Sequence, residues 1–102
     1  MQFVITAYDG KDEGAYERRM AVRPQHLESI KRVKETGSVV CAGGITNEEG
    51  KLVGSVVILD FATKELFDAY LAQEPYMVNK VWEDVTVNNI NVVFLNDEIV
   101  TK

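Results

Sequence analysis

Ser38-Val39-Val40-Cys41-Ala42-Gly43-Gly44, then Asn47-Glu48-Glu49-Gly50, then Val53-Gly54-Ser55-Val56-Val57-Ile58-Leu59-Asp60-Phe61: the middle of the chain reads as two strands joined by a loop. Runs of β-branched and apolar residues bounded by Gly and Asn clusters are strand and turn signals. The spacing predicts a second strand over Ser38–Ala42, closed by Gly43-Gly44, and a third over Val53–Phe61. On the N-terminal side, Gly37 marks the end of a helix. Leu27, Ile30 and Val33 supply its apolar stripe, and Pro24 suits its first position, where a missing N–H costs nothing. Gly14–Ala21 adds a separate short helical turn, and Gln2–Tyr8, ended by Asp9-Gly10-Lys11-Asp12, reads as the first strand. On the C-terminal side, Thr63 is an N-cap residue for a second helix with Leu66, Phe67, Ala69 and Tyr70 on its apolar side, broken at Glu74-Pro75. Val85–Leu95 reads as a fourth strand, and Asn96-Asp97 begins a short tail.

The order β-α-β-β-α-β, with two crossovers, is that of an α+β ferredoxin-like domain: an antiparallel sheet with two helices on one face. Residues 1–102 are expected to form this single domain. The other sheet face should then be polar, yet Phe3, Ile5 and Ala7 alternate with Val4 and Tyr8, and Val57 and Leu59 with Val56 and Ile58. In the last strand Val85, Val87, Val93 and Leu95 oppose Ile90, Val92 and Phe94. Two apolar faces call for a second layer. A second copy of the chain, packed sheet to sheet, is the expected source. Pairing through strand edges or helices is the alternative.

A formal charge of −5 and a pI near 4.8 exclude the clustered cations that nucleic acid or an anionic membrane surface requires. No apolar run is long enough to span a bilayer, and the N-terminus lacks the pattern of a signal peptide. One cysteine, Cys41, rules out an intrachain disulfide and fits a cytoplasmic location; the strand pattern makes it buried and inert. One His and one Cys far apart give no metal set, and no cofactor is implied.

The topology brings four distant segments to one end of the sheet: Tyr8, Arg23-Pro24-Gln25-His26, Gly43-Gly44 and Glu74-Pro75-Tyr76. His26 at a helix start and Glu74 at a helix break can form an acid/base pair, the carboxylate orienting the ring and stabilising imidazolium. The same residues also suit two solvated surface groups, and the residues alone leave both readings open. Arg23 suits an anionic substrate group or a surface ion pair. Gly43 and Gly44 suit a close ligand approach or a tight turn, and Tyr8 and Tyr76 a pocket wall or the core rim. Ser38 and Ser55 lack a nucleophile motif. Trp82 suits core or interface.

Ala21-Val22-Arg23-Pro24-Gln25-His26-Leu27, Gly43-Gly44, Gly54-Ser55, Glu74-Pro75-Tyr76 and Val81-Trp82-Glu83 together resemble the YciI-like family of the dimeric α+β barrel group, over nearly the whole chain. The resemblance implies a sheet-packed homodimer and a His–carboxylate centre on His26 and Glu74, with Arg23 and Tyr76 shaping its pocket. It implies a small-molecule lyase or isomerase, with chloride removal from a hydroxylated aromatic ring as one such activity. The alternative is a non-catalytic small-molecule-binding or accessory dimer. The family usually carries Asp where Glu74 stands, one methylene shorter.

Overall fold

The computed structural model describes residues 1–95 and 98–99. Its elements are β1 (Gln2–Asp9), α1 (Ala15–Glu35), β2 (Val39–Thr46), β3 (Leu52–Asp60), α2 (Lys64–Gln73), α3 (Pro75–Val78), β4 (Trp82–Asn89) and a two-strand hairpin, β5 (Phe94–Leu95) with β6 (Glu98–Ile99). The main sheet has the order β2-β3-β1-β4, and every neighbouring pair is antiparallel. This is the ferredoxin-like βαββαβ arrangement.

The pleat decides which side chains meet the helices. Along β1, Phe3, Ile5, Ala7 and Asp9 are buried, whereas Gln2, Val4 and Thr6 are half-buried and Tyr8 is exposed. Ile5 pairs with Val57 and Val87, so the buried side continues through Val57 and Leu59 of β3. Helix α2 delivers Phe67 onto that side, stacked on Phe3 with ring centroids 4.1 Å apart. The opposite side carries Val4, Val56 and Ile58 at its centre, with Cys41 opposite Ile58 and Ile45 opposite Gly54. On β4 it turns polar, with Asp84, Thr86 and Asn88. Gly54 has to be glycine, because a Cβ there would stand 2.4 Å from the Ala7 carbonyl oxygen.

Helix α1 differs from the sequence expectation. It is one unbroken helix of 21 residues with Pro24 inside it, not a helical turn followed by a helix starting at Pro24. An interior proline costs a helix about 3 kcal/mol through its lost N–H bond and ring clash. Here Pro24 and Met20 are both on the solvent side, where water can satisfy the freed carbonyl. The fully buried stripe is Ala15, Arg19, Val22, His26 and Ser29; of the expected stripe, Ile30 and Val33 are half-buried and pack against the core, whereas Leu27 is 47% exposed. Gly37, at φ +80°, terminates the helix, donating from its N–H to the Lys34 carbonyl.

Strand β2 runs through Gly43-Gly44 to Thr46 instead of stopping at them, because backbone pairing with Val56 and Ser55 continues there. Cys41 is exposed rather than buried, since β2 is the edge strand. Strand β4 begins at Trp82 and ends at Asn89, so Val92 and Val93 lie outside it. The tail expected from Asn96-Asp97 lies outside the described residues. In α2, Phe67 and Tyr70 are buried while Leu66 and Ala69 are exposed. The Thr63 hydroxyl accepts from the Leu66 N–H at 3.2 Å. Among the described residues, no helix is long and apolar enough to cross a membrane.

Candidate functional site

Glu74 owes its position to the proline that follows it. A residue before proline is driven out of the helical region, and Glu74 takes φ −61°, ψ 123°, ending α2 and capping α3. Its side chain turns inward and is wholly buried, at 0% exposure. Buried carboxylates need several donors to offset the loss of water. Glu74 has three. His26 Nδ1 lies 2.5 Å from Oε1, the Tyr76 N–H donates to the same oxygen at 3.2 Å, and the Tyr70 hydroxyl donates to Oε2 at 2.9 Å. Burial, followed by the Glu74 charge, pushes the Tyr70 hydroxyl far above the usual phenol range, so it stays a donor.

His26 sits in the middle of α1, not in its first turn, so the field of a helix N-terminus does not act on it. Its surroundings are Glu74, Tyr76 and Trp82. The imidazole stacks on the Tyr76 ring at 4.1 Å and 14°, with the Trp82 ring edge-on at 6.2 Å. A carboxylate on Nδ1 selects the tautomer with the proton there, leaving the Nε2 lone pair free. Nε2 has no hydrogen-bond partner among the described residues and is not among the atoms sealed from solvent, and the residue borders a cavity.

That cavity, of about 260 Å³, lies between α1 and the helix side of β2 and β3. Arg19, Arg23 and His26, at four- and three-residue spacing, supply one wall; Ala42, Gly44, Ser55 and Val57 lie across from them. The cavity exists because Ala42 and Gly44 carry almost no side chain where a strand would ordinarily fill the gap beneath a helix. Behind the wall, Arg19 donates through Nη1 to both Asp9 oxygens at 2.9 and 3.0 Å and through Nη2 to Ser55 Oγ at 2.7 Å, while Trp82 Nε1 donates to the same Oγ at 3.2 Å. The Arg19 guanidinium also lies 4.7 Å from the Tyr76 ring centroid. Burial raises the Asp9 carboxyl above its ordinary value, opposed by Arg19.

The structure thus gathers Arg23, His26, Gly43, Gly44 and Tyr76 around one cavity, with Glu74 directly behind His26. Tyr8 is a correction: it projects from the helix-free side of the sheet, is 45% exposed, and does not border this cavity. Two larger depressions, about 360 and 830 Å³, open beside Tyr8 and Lys11, and neither touches His26 or Glu74. Arg19 and the Arg19–Asp9–Ser55 network were not singled out from sequence. Arg19 shares a helical face with Arg23 and His26, a spacing visible only once Pro24 is placed inside the helix. No group of three or more His, Cys, Asp or Glu side chains able to hold a metal occurs among the described residues.

Comparisons with known proteins bear on the family and the fold. A protein from Escherichia coli named YciI is 33% identical over 100 residues, covering 92% of this chain and all of that protein. A protein of Haemophilus influenzae is 34% identical over the same span and coverage. Among solved structures, 5-chloro-2-hydroxyhydroquinone dehydrochlorinase TftG from Burkholderia phenoliruptrix, in complex with 2,5-dihydroxybenzoquinone, superposes with a TM-score of 0.76 at 16% identity, covering 89% of this chain and 94% of that one. An antibiotic biosynthesis monooxygenase superposes at 0.56 and 18% identity, covering 91% and 99%. At such identities these two likenesses speak to the fold alone, the ferredoxin-like βαββαβ arrangement. The model of the YCII-related domain matches residues 1–91, and with relatives a third identical over almost their whole length, the chain belongs to that family.

Proposed function

We propose that the protein is a small enzyme that moves protons on a compact substrate, of lyase or isomerase type, with His26 as general base and Glu74 as its orienting partner. The observation that carries this reading is the buried His26–Glu74 contact of 2.5 Å on a residue that borders a cavity. Substrate loses a proton to Nε2. The Nδ1 proton stays against Glu74, whose charge stabilises the imidazolium that forms. In an elimination of HCl, the C–Cl bonding pair departs with chloride while the substrate proton goes to His26. In an isomerisation, the same proton returns to another carbon. The dehydrochlorinase likeness supports trying the elimination first.

Chloride release from 5-chloro-2-hydroxyhydroquinone is therefore expected to exceed the uncatalysed rate and to fall about 100-fold or more in His26→Asn, the usual scale for losing general base catalysis. Equal rates in parent and variant, or no release above background, would sink the reading. Glu74→Gln gives a second readout. The charge that stabilises the imidazolium formed during turnover is gone, so chloride release is expected to slow relative to the parent. An unchanged rate would remove Glu74 from the mechanism.

The working unit is a homodimer packed through the sheet side that bears Val4, Val56 and Ile58, since these half-buried side chains form the apolar centre of the face opposite the helices. An exposed Cys41 thiol on that side suits the reducing cytoplasm.

A further inference from the structure

The cavity beside His26 has an unbalanced charge. Arg19, Arg23 and His26 all border it, and no carboxylate does. Asp9 and Glu74, the acids that pair with Arg19 and His26, are not part of its lining. Arg23 has no such partner: among the described residues no acid lies within 4.0 Å of its guanidinium, and it makes no hydrogen bond there. It is half-buried in a chain whose formal charge is −5, where acids to pair with are plentiful.

Ser55 lies in the lining as well, and its Oγ already accepts from Arg19 and Trp82, so its own O–H is left to donate. The lining offers an unpaired guanidinium and a hydroxyl donor; what it lacks is a negatively charged acceptor.

We infer that this cavity binds a compact organic carboxylate, with Arg23 as the counter-charge and the Ser55 hydroxyl as a second donor. The planar guanidinium fork matches a carboxylate in two hydrogen bonds. A volume near 260 Å³ lies at the small end of ligand pockets, which suits a single ring or a short-chain acid. That this anion is the enzyme's substrate class rests on the His26–Glu74 reading; that it binds does not.

The probes are benzoate and its neutral isostere benzamide, titrated at fixed ionic strength and neutral pH. Binding is followed by the NMR resonances of His26, which borders this cavity, and of the Trp82 indole, whose Nε1 donates to the Ser55 hydroxyl in its lining. Benzoate is expected to bind at least ~10-fold tighter than benzamide, the scale of one charge-assisted contact. Arg23→Gln should erase the preference and Arg23→Lys should keep part of it, with both variants retaining the parent's amide spectrum because Arg23 is only half-buried. Equal affinity for the two probes, no movement of His26 by benzoate, or a preference untouched by Arg23→Gln would each overturn the inference. His26→Asn separates the two claims. Followed at Trp82, the variant should keep the benzoate preference, so a loss of turnover with intact anion binding speaks to His26 alone. Lost anion selectivity with an intact Glu74→Gln effect on turnover speaks to Arg23 alone.

Discussion

Replacing Asp9 by Ala is expected to destabilise the fold by about 3–5 kcal/mol, the cost of leaving one member of a buried ion pair without its partner. Arg19 is 3% exposed and Asp9 7%, and the Asp9 carboxylate is the only acid within ion-pair distance of Arg19 among the described residues. For a domain of this size, whose total stability is about 5–15 kcal/mol, such a loss brings unfolding close to growth temperature. Urea unfolding measures it, and a loss under about 1 kcal/mol would show that water reaches Arg19 freely. Removing both partners, as in Asp9→Ala with Arg19→Met, should recover much of the loss, since replacing a whole buried pair by apolar groups is often near neutral. The pH dependence follows from the sign of the shift. Burial raises the folded-state Asp9 pKa above its unfolded value. The native state therefore holds that proton more tightly, and the contribution of Asp9 to stability declines as pH rises from the unfolded value through the folded one. Asp9→Asn should lack this acid-range slope.

A charge in the apolar centre of the helix-free sheet side should break the dimer while sparing the fold. Ile58 lies there, pairing with Val4 on β1 and Cys41 on β2, and is half-buried in the isolated chain. In a two-fold dimer every substitution occurs twice across the interface. Two unpaired carboxylates, each costing several kcal/mol to bury, should weaken association by more than about 1,000-fold. Ile58→Glu is thus expected to sediment as a folded monomer at micromolar concentration. Val57→Glu, one residue away but 1% exposed beneath the helices, should instead unfold the protein. Thr86→Glu, on the polar β4 portion of the same side, should remain dimeric. A parent protein that is monomeric, or an Ile58→Glu variant that stays dimeric, would rule out this packing.

The sheet was legible because its signals are local: the hairpin of β2 and β3, the Thr63 cap and the Glu74-Pro75 break each depend on a few neighbouring residues. Helix α1 was not, for a specific reason. Its buried stripe contains Arg19, His26 and Ser29, polar residues whose burial is made tolerable by partners such as Asp9, Ser55 and Glu74. A reading that assigns the inner face by apolarity then finds Ile30 and Val33, which do pack against the core, but adds the exposed Leu27 and passes over Arg19 and His26. Pro24 strengthened the error, since a proline more often starts a helix than interrupts one. The glycines misled at β2 because an edge strand tolerates residues that an inner strand would not. His26 and Glu74 could be placed together from topology and from family resemblance. Arg19 could not, because its significance depends on helix phase.

Position 74 serves two masters. One carboxylate oxygen both receives His26 and fixes the Tyr76 backbone at the α2–α3 joint. The scaffold and the site therefore do not vary independently there. A shorter Asp must bring one oxygen to two separate donors from a carboxyl one bond nearer the backbone, and a Gln whose oxygen meets both donors turns its amide nitrogen towards the Tyr70 hydroxyl that now donates to Glu74. Drift at this position is constrained by backbone architecture as tightly as by chemistry, so a change at 74 becomes tolerable only together with compensating movement in the joint or in the phase of α1.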